Sequence, residues 1–211
     1  MAPGKVRIMI SDRSWFCLIA VLGLSAAPAA QAVDFEITPY LGYRFGGQFE
    51  DPATQKNVDI DPDMSYGVAF DVVYAPDKAI QVFYGRQASQ IENSNIDMTV
   101  EYIHIGGVAT FPMETHTDFV PYAVGTIGAT RFSPSGDFDD ETKFSASLGG
   151  GWQYFFSPNL GLRFEGRGYV TVLSSDTDLF CVSNGGATCL LRSTGSVVWQ
   201  IEASAGFTFK F

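Results

Sequence analysis

Hydrophobic and polar residues alternate along eight segments of the chain, at about residues 35–45, 65–74, 79–87, 99–111, 119–132, 143–156, 161–171 and 197–211. In the last segment Trp199, Ile201 and Phe207 share one face, while Gln200 and Glu202 share the other. A period of two over such lengths predicts β-strands. The fifth and sixth segments contain so much Gly and Ala that the pattern does not tell which of their faces is apolar.

The connections between these segments differ in length. Three are short, at 75–78, 112–118 and 157–160, and four are long and polar, at 46–64, 88–98, 133–142 and 172–196. A meander with short turns at one end and long loops at the other is typical of a transmembrane β-barrel. Segments of about ten residues also suit a tilted strand that spans a bilayer. We therefore predict an all-β fold, an eight-stranded antiparallel up-and-down transmembrane β-barrel.

A soluble lipocalin-like barrel is the alternative, because it also has eight alternating strands. Its polar row would face water and should be rich in Lys and Glu, whereas the polar row here is mostly Gly, Ala, Ser, Thr and Gln. Small residues suit a narrow lumen. The apolar row carries aromatic residues near strand ends (Phe35, Tyr74, Phe111 and Phe211), as interfacial girdles do. The pattern favours lipid around the apolar row.

The first 32 residues have the features of a secretory signal peptide. Lys5, Arg7 and Arg13 form a basic start, an apolar run of ten residues follows at 15–24, and small residues lead to Ala32. The apolar run is too short to span a bilayer, and the small residues end in an A-x-A cleavage pattern. We predict export with cleavage after Ala32, which leaves a barrel domain at 33–211. The alternative is a buried N-terminal helix.

Composition excludes several other classes of protein. The chain is 46% hydrophobic and 14% aromatic, which excludes disorder. Past residue 32 no apolar run approaches the roughly 18 residues that a spanning helix needs. The formal charge is −10 with only 13 Lys and Arg, so there is no electrostatic footprint for nucleic acid. No motif in the chain calls for a cofactor.

Two cysteines, Cys181 and Cys189, remain after the predicted cleavage, because Cys17 leaves with the signal peptide. An even pair this close in an oxidising compartment predicts a disulfide. It would close a short segment within the longest loop, 172–196, and the chain-entropy model gives about 2.5 kcal/mol for such a closure.

Six charged residues fall on the small-residue face of the predicted strands, and we expect them in the lumen: Arg44, Asp71, Arg163, Glu165, Arg167 and Glu202. The first, seventh and eighth strands are neighbours in a closed meander, so Arg44, Arg167 and Glu202 can cluster. Inside the barrel such charges can pair, whereas an Arg facing lipid at mid-bilayer costs roughly 2–4 kcal/mol. Two interpretations stay open: a crosslinked interior without a pore, or a gate whose salt bridges exchange partners.

The run Asp59-Ile60-Asp61-Pro62-Asp63 resembles the start of a calcium loop, since hard cations prefer clustered carboxylates. It lacks Gly at the sixth position, and its twelfth position is Phe70 rather than Glu. Asp59, Asp61 and Asp63 are therefore weak metal candidates, and we predict no metal site.

Several stretches in order resemble a known family: VPYAVGTIG at 120–128, LGGGWQY at 148–154, SPNL at 157–160 and LRFEGR at 162–167. They are similar to the small eight-stranded outer-membrane barrel superfamily, which includes the opacity proteins and the membrane domain of the OmpA-like proteins. The resemblance implies a place in a Gram-negative outer membrane, in contact with its lipid and lipopolysaccharide. It also implies that Phe207, Phe209 and Phe211 form the C-terminal signal read by the barrel assembly machinery.

The resemblance leaves the activity open because the family is functionally mixed. Lipid A deacylases of similar size use His-x-Ser spacing, but His104 precedes Ile105-Gly106 and His116 precedes Thr117-Asp118. We therefore predict a monomeric, non-enzymatic protein that anchors surface loops, adhesin-like or receptor-like, and binds a surface ligand. The alternative is a narrow porin-like channel for small solutes, and a lipid A-modifying enzyme comes third.

Overall fold

The structure is a computed structural model, and it describes residues 33–50, 57–91, 96–113, 118–136, 138–173, 178–182, 188–192 and 197–211. For residues 49–50, 57–58, 178–182 and 188–192 only the backbone is described. The predicted signal peptide and its cleavage site lie outside the described residues.

The described residues form twelve strands: β1 (Asp34–Gly46), β2 (Gln48–Glu50), β3 (Asn57–Asp59), β4 (Asp63–Ala75), β5 (Lys78–Gln90), β6 (Asp97–Thr110), β7 (Phe119–Pro134), β8 (Glu141–Ser157), β9 (Leu160–Val172), β10 (Asp178–Val182), β11 (Thr188–Arg192) and β12 (Val197–Lys210). Eight of them close a barrel in the order β1-β12-β9-β8-β7-β6-β5-β4, and each pair of neighbours is antiparallel. The eight-stranded antiparallel barrel is thus confirmed.

The barrel closes where the two ends of the domain meet. The Phe35 amide donates to the Phe211 carbonyl at 3.2 Å, and the Phe211 amide donates to the Phe35 carbonyl at 2.9 Å. Farther along the same seam, Arg44 lies opposite Glu202. Because β1 pairs with both β12 and β4, no barrel strand is left with an unpaired edge.

A second, four-stranded sheet lies in the long connections, with the order β10-β11-β2-β3. It joins the first long connection to the fourth, where Glu50 pairs with Arg192. These strands have only three to five residues. Such short runs give too few alternating positions to predict strands, which is why the polar composition alone indicated loops here.

The two faces of each barrel strand differ as the alternation predicts. Outward side chains along the middle of the strands are mainly apolar and exposed, with Ile105 54% and Leu148 74% exposed, while inward Met98 and Gln81 are fully buried. A soluble barrel would show the reverse, because it hides its apolar row. The structure also resolves the two strands whose faces the pattern left open, since Ile127 and Leu148 point outward.

Inward glycines let the strands approach closely. A Cβ added to Gly106 would collide with the Gly125 carbonyl oxygen of β7, and one added to Gly151 would collide with the Phe164 carbonyl oxygen of β9. Larger residues at these two positions would force neighbouring strands apart, which explains part of the Gly content of the small-residue face.

Among the described residues, none belongs to a helix that is long and apolar enough to cross a membrane. This finding does not bear on crossing by strands.

Replacing Ile105 with Arg tests the lipid-facing assignment. The side chain points outward from the middle of β6, so we expect the free energy of unfolding in lipid vesicles to fall by about 2–4 kcal/mol. Urea titration followed by tryptophan fluorescence measures the change. The matched control is Ala88→Arg, also on an outward position but near the long-loop end of β5, which should cost no more than about 1 kcal/mol. Equal effects at the two positions would contradict the assignment.

Candidate functional site in the barrel interior

Five side chains form a closed ring across the middle of the lumen, here called the lumen ring: Asp71, Gln81, Arg167, Glu165 and Arg163. Gln81 Nε2 donates to Asp71 Oδ1 at 2.7 Å, and Arg167 Nη2 donates to Gln81 Oε1 at 2.7 Å. Glu165 accepts from Arg167 Nε at 2.6 Å and from Arg163 Nη2 at 2.9 Å. Arg163 Nη1 closes the ring by donating to Asp71 Oδ2 at 2.7 Å.

The ring spans the barrel because of where its strands lie. Arg163, Glu165 and Arg167 occupy alternate positions of β9 and therefore share its inward face. Asp71 and Gln81 come from β4 and β5, and β5 is four strands away from β9 in the closed order, on the opposite wall. An eight-stranded barrel is narrow enough for side chains from opposite walls to meet.

Tyr122 of β7 completes the ring on a third side. Arg163 Nε donates to the Tyr122 hydroxyl at 2.8 Å, and that hydroxyl donates to Glu165 Oε2 at 2.7 Å. The Arg163 guanidinium also lies 4.3 Å from the centre of the Tyr122 ring. Sequence reasoning missed Tyr122, because the Gly-rich and Ala-rich β7 did not show which of its faces points inward.

A second layer lies toward the long-loop end and contains the other two predicted lumen charges. Arg44 Nε donates to Glu202 Oε2 at 2.8 Å, and both side chains are almost fully buried. The Arg44 guanidinium faces the rings of Tyr102 and Tyr169, which stack on each other at 4.2 Å. The Tyr169 hydroxyl also donates to Glu202, at 3.2 Å.

The three residues that we expected to cluster are divided between these layers. Arg167 lies opposite Glu202 in the β9–β12 register. Its guanidinium nevertheless turns to Glu165 and Gln81, while Glu202 takes Arg44. Register therefore placed the residues correctly at the backbone, but the choice of partner depended on side chains from opposite walls.

An apolar cap closes the lumen at the long-loop end. Its members are buried, large and mostly aliphatic: Ile60, Ile91, Met98, Val100, Phe132, Leu173 and Val198. The sequence indicated a lumen of small and polar residues and did not reveal this cap. The available signal was in β6, where Met98 and Val100 share the inward face while the outward residues around them, Thr99 and Glu101, are polar.

The short-turn end of the lumen is open by contrast. A cavity of about 710 Å³ is lined there by turn residues such as Pro76 and Pro158 and reaches Asp71 and Arg163 of the lumen ring. Glu36 also lines it and accepts a hydrogen bond from Gln153 at 3.2 Å. Water can thus enter from one end as far as the ring.

His104 is held by hydroxyl groups. Its Nδ1 lies 2.9 Å from Thr126 Oγ1 and its Nε2 lies 2.8 Å from Ser145 Oγ, and the ring is buried in the lumen. Within the described part of the chain no carboxylate hydrogen-bonds to this histidine, so the arrangement lacks the acid that orients a catalytic base. His116 lies outside the described residues.

The weak metal candidates do not converge. Asp59 and Asp63 are exposed, and between them the side chain of Ile60 is buried in the apolar cap. Across the ranges that the structure describes, no group of three or more His, Cys, Asp or Glu residues is arranged to hold a metal ion.

Two phenylalanines of β12 and the one directly after it point to the outside. Phe207, Phe209 and Phe211 are all exposed on the lipid-facing row. The cysteine side chains lie outside the described residues, but the backbone register of β10 and β11 places Cys181 opposite Cys189.

Removing the Glu165 carboxylate from the lumen ring should destabilise the barrel. Glu165→Ala leaves Arg163 and Arg167 buried without their shared partner, and we expect a loss of about 3–5 kcal/mol in the free energy of unfolding. Urea titration in vesicles measures it. Asp77→Asn, in an exposed turn with a 3.9 Å ion pair to Lys78, is the control and should change stability by less than about 1 kcal/mol. A Glu165→Ala variant as stable as this control would show that the ring contributes nothing.

Comparison with solved structures shows the same architecture elsewhere. The structure is similar to Neisserial surface protein A (TM-score 0.60, 16% identity, covering 84% of this chain and 97% of that one). It is also similar to OprG from Pseudomonas aeruginosa (TM-score 0.52, 12% identity, 86% and 97% covered) and to the outer membrane protein AlkL (TM-score 0.53, 14% identity, 87% and 94% covered). At these identities the likeness shows the fold alone. No curated protein sequence matches the chain.

A family model settles the relationship. The model described as "Outer membrane protein beta-barrel domain" matches residues 16–211, nearly the whole chain. The closed barrel, its apolar exterior and this match agree, and the chain therefore belongs to the outer membrane protein β-barrel family and is a protein of the outer membrane.

Proposed function

We propose that this protein is a non-enzymatic, monomeric anchor that holds its long loops at the cell surface, where they act as an adhesin-like or receptor-like module. The observation that carries the proposal is the filled interior. The lumen ring crosses the barrel, and the apolar cap lies between it and the long-loop end. A barrel closed in this way transmits no solute, so its exposed loops are the part left to interact.

The second sheet supports the same conclusion. Strands β2 and β3 of the first long connection pair with β10 and β11 of the fourth through Glu50 and Arg192. Two connections that are distant in sequence thus form one structured surface. A shaped surface pays less ordering entropy on binding than independent flexible loops do. Neisserial surface protein A, a structural neighbour, is by its name a surface protein.

Two further parts of the proposal concern export and assembly. The signal peptide at 1–32 would direct the chain across the inner membrane. The exposed Phe207, Phe209 and Phe211 would be read by the barrel assembly machinery at the end of the last strand.

Conductance in planar bilayers distinguishes the anchor from the narrow channel. The wild-type protein should be electrically silent because the ring and the cap both block the lumen. Glu202→Ala, which breaks the upper ion pair but leaves the lumen ring intact, should be silent too. A large porin inserted under the same conditions serves as the positive control. Reproducible current steps from the wild type would contradict the proposal, and steps from Glu202→Ala alone would favour the gate whose salt bridges exchange partners.

We also propose a disulfide between Cys181 and Cys189, which the opposed positions of their backbones support. Directly opposed residues of antiparallel strands have Cα separations compatible with a disulfide. After proteolysis without reduction, mass spectrometry should find the peptide that contains both cysteines lighter by two hydrogen atoms than the same peptide after reduction. Cys181→Ser is the matched control and should leave Cys189 reactive to an alkylating reagent. Full alkylation of both cysteines in the unreduced wild type would refute the bond.

A further inference from the structure

Three charged side chains form a row on the outward face of the barrel, here called the charged row: Arg86, Glu101 and Arg131. They lie directly opposite one another on the adjacent strands β5, β6 and β7. All three point away from the lumen, because their neighbours Gln87, Tyr102 and Thr130 are buried inside. The two arginine side chains are 41% and 54% exposed.

The charged row marks a boundary on the barrel surface. The next outward residues toward the middle of the barrel are Tyr84, Ile103 and Ala129, with Ile103 highly exposed. Toward the long loops the next outward residues are Ala88, Thr99 and Ser133, two of them polar. The row thus lies where the apolar band ends, at the level of lipid headgroups. An arginine there costs only about 0–1 kcal/mol, against 2–4 kcal/mol at mid-bilayer.

The contacts of the two arginines with Glu101 are long. Both lie 3.7 Å from Glu101, which is an ion-pair distance but too long for a hydrogen bond. The Glu101 oxygen nearest Arg86 already accepts from the Tyr84 hydroxyl at 2.7 Å. Arg86 Nε is buried and has no hydrogen-bond partner among the residues that the structure describes, so the exposed 41% of the side chain lies at its other atoms, where a lipid can reach it. Arg131 donates Nη2 to Asp140 at 2.5 Å, and its other N–H groups have no hydrogen-bond acceptor among the residues that the structure describes.

The charged row carries two cationic side chains on a protein that is acidic as a whole. The chain carries a formal charge of −10, so it has no general attraction for anions. Apart from Lys78 at a short turn, Arg86 and Arg131 are the only cationic side chains on the outward face of the described barrel strands. Arg86 and Arg131 each lie one strand away from Glu101, which is on the strand between them, and together they form a local site.

We propose that Arg86 and Arg131 bind the phosphate groups of a doubly phosphorylated glycolipid in the outer leaflet. Guanidinium groups bind phosphate through paired, charge-assisted hydrogen bonds. Two strand spacings separate the arginines by about 10 Å, a span that suits two phosphates at either end of a disaccharide headgroup. Glu101 holds both arginines at the lipid-facing surface, and Tyr84 lies below them at the interface. This inference is independent of the role proposed for the loops.

Native mass spectrometry of the full-length protein in detergent tests the site, with bisphosphorylated lipid A as the probe and phosphatidylcholine for comparison. We expect the wild type to bind the phosphorylated lipid preferentially and less tightly as salt increases. Arg86→Gln/Arg131→Gln should weaken binding by about tenfold or more, since two charge-assisted contacts are lost. Arg86→Lys/Arg131→Lys, which keeps the charge but not the paired geometry, should fall between the two.

The control is Lys78→Gln/Lys210→Gln, which removes the same charge at the short-turn end and should bind like the wild type. Heat-dependent gel mobility checks that each variant is folded, and Arg86→Gln alone provides the same test should the double variant not fold. Unchanged binding by the arginine variants, or an equal loss in the lysine control, would overturn the proposal. Displacement of the lipid by equimolar inorganic phosphate would also overturn it, because the site would then recognise a soluble anion.

Discussion

The hydrocarbon of a membrane offers no water to a peptide group, so every backbone N–H and C=O that crosses it must pair within the protein. A sheet meets this requirement only when it closes on itself, and the Phe35–Phe211 hydrogen bonds complete that closure here. Closure then sorts the side chains, because alternate residues face lipid or lumen. The charged residues of β9 must point inward at a level where lipid surrounds the barrel, and in a narrow barrel they meet partners from the opposite wall.

The charges in the interior would destabilise the barrel if they were buried alone, but they stabilise it by binding one another. Buried ions are expensive unless their hydrogen bonds are satisfied, and the lumen ring satisfies them by giving each member two partners in the ring. The same crosslinks fill the middle of the lumen with side chains. Charges can face outward only near the end of the apolar band, and Arg86 and Arg131 of the charged row lie there.

The sequence predicted the fold well because the alternation of apolar and polar residues is visible within a single strand, as in the last segment from Trp199 to Phe211. It also indicated the face of each lumen charge, because alternate residues of a strand lie on opposite faces. The alternation does not tell at which level along the barrel axis a residue lies, since this level depends on how neighbouring strands are staggered. The choice of Gln81 as the partner of Arg167 was thus beyond the sequence. Tyr122 was missed because β7 is rich in Gly and Ala, and the second sheet because its strands are too short.

Everything in this account depends on lipid contacting the outward row, and the native tryptophans report this directly. The predicted mature chain lacks Trp15, so its tryptophans are Trp152 and Trp199, and both are exposed on the outward face near opposite ends of the barrel. Their fluorescence in vesicles should be quenched strongly by lipids with brominated acyl chains and weakly by acrylamide in the water. Strong quenching by acrylamide, with none from brominated lipid, would show that the row faces water and would contradict the membrane barrel.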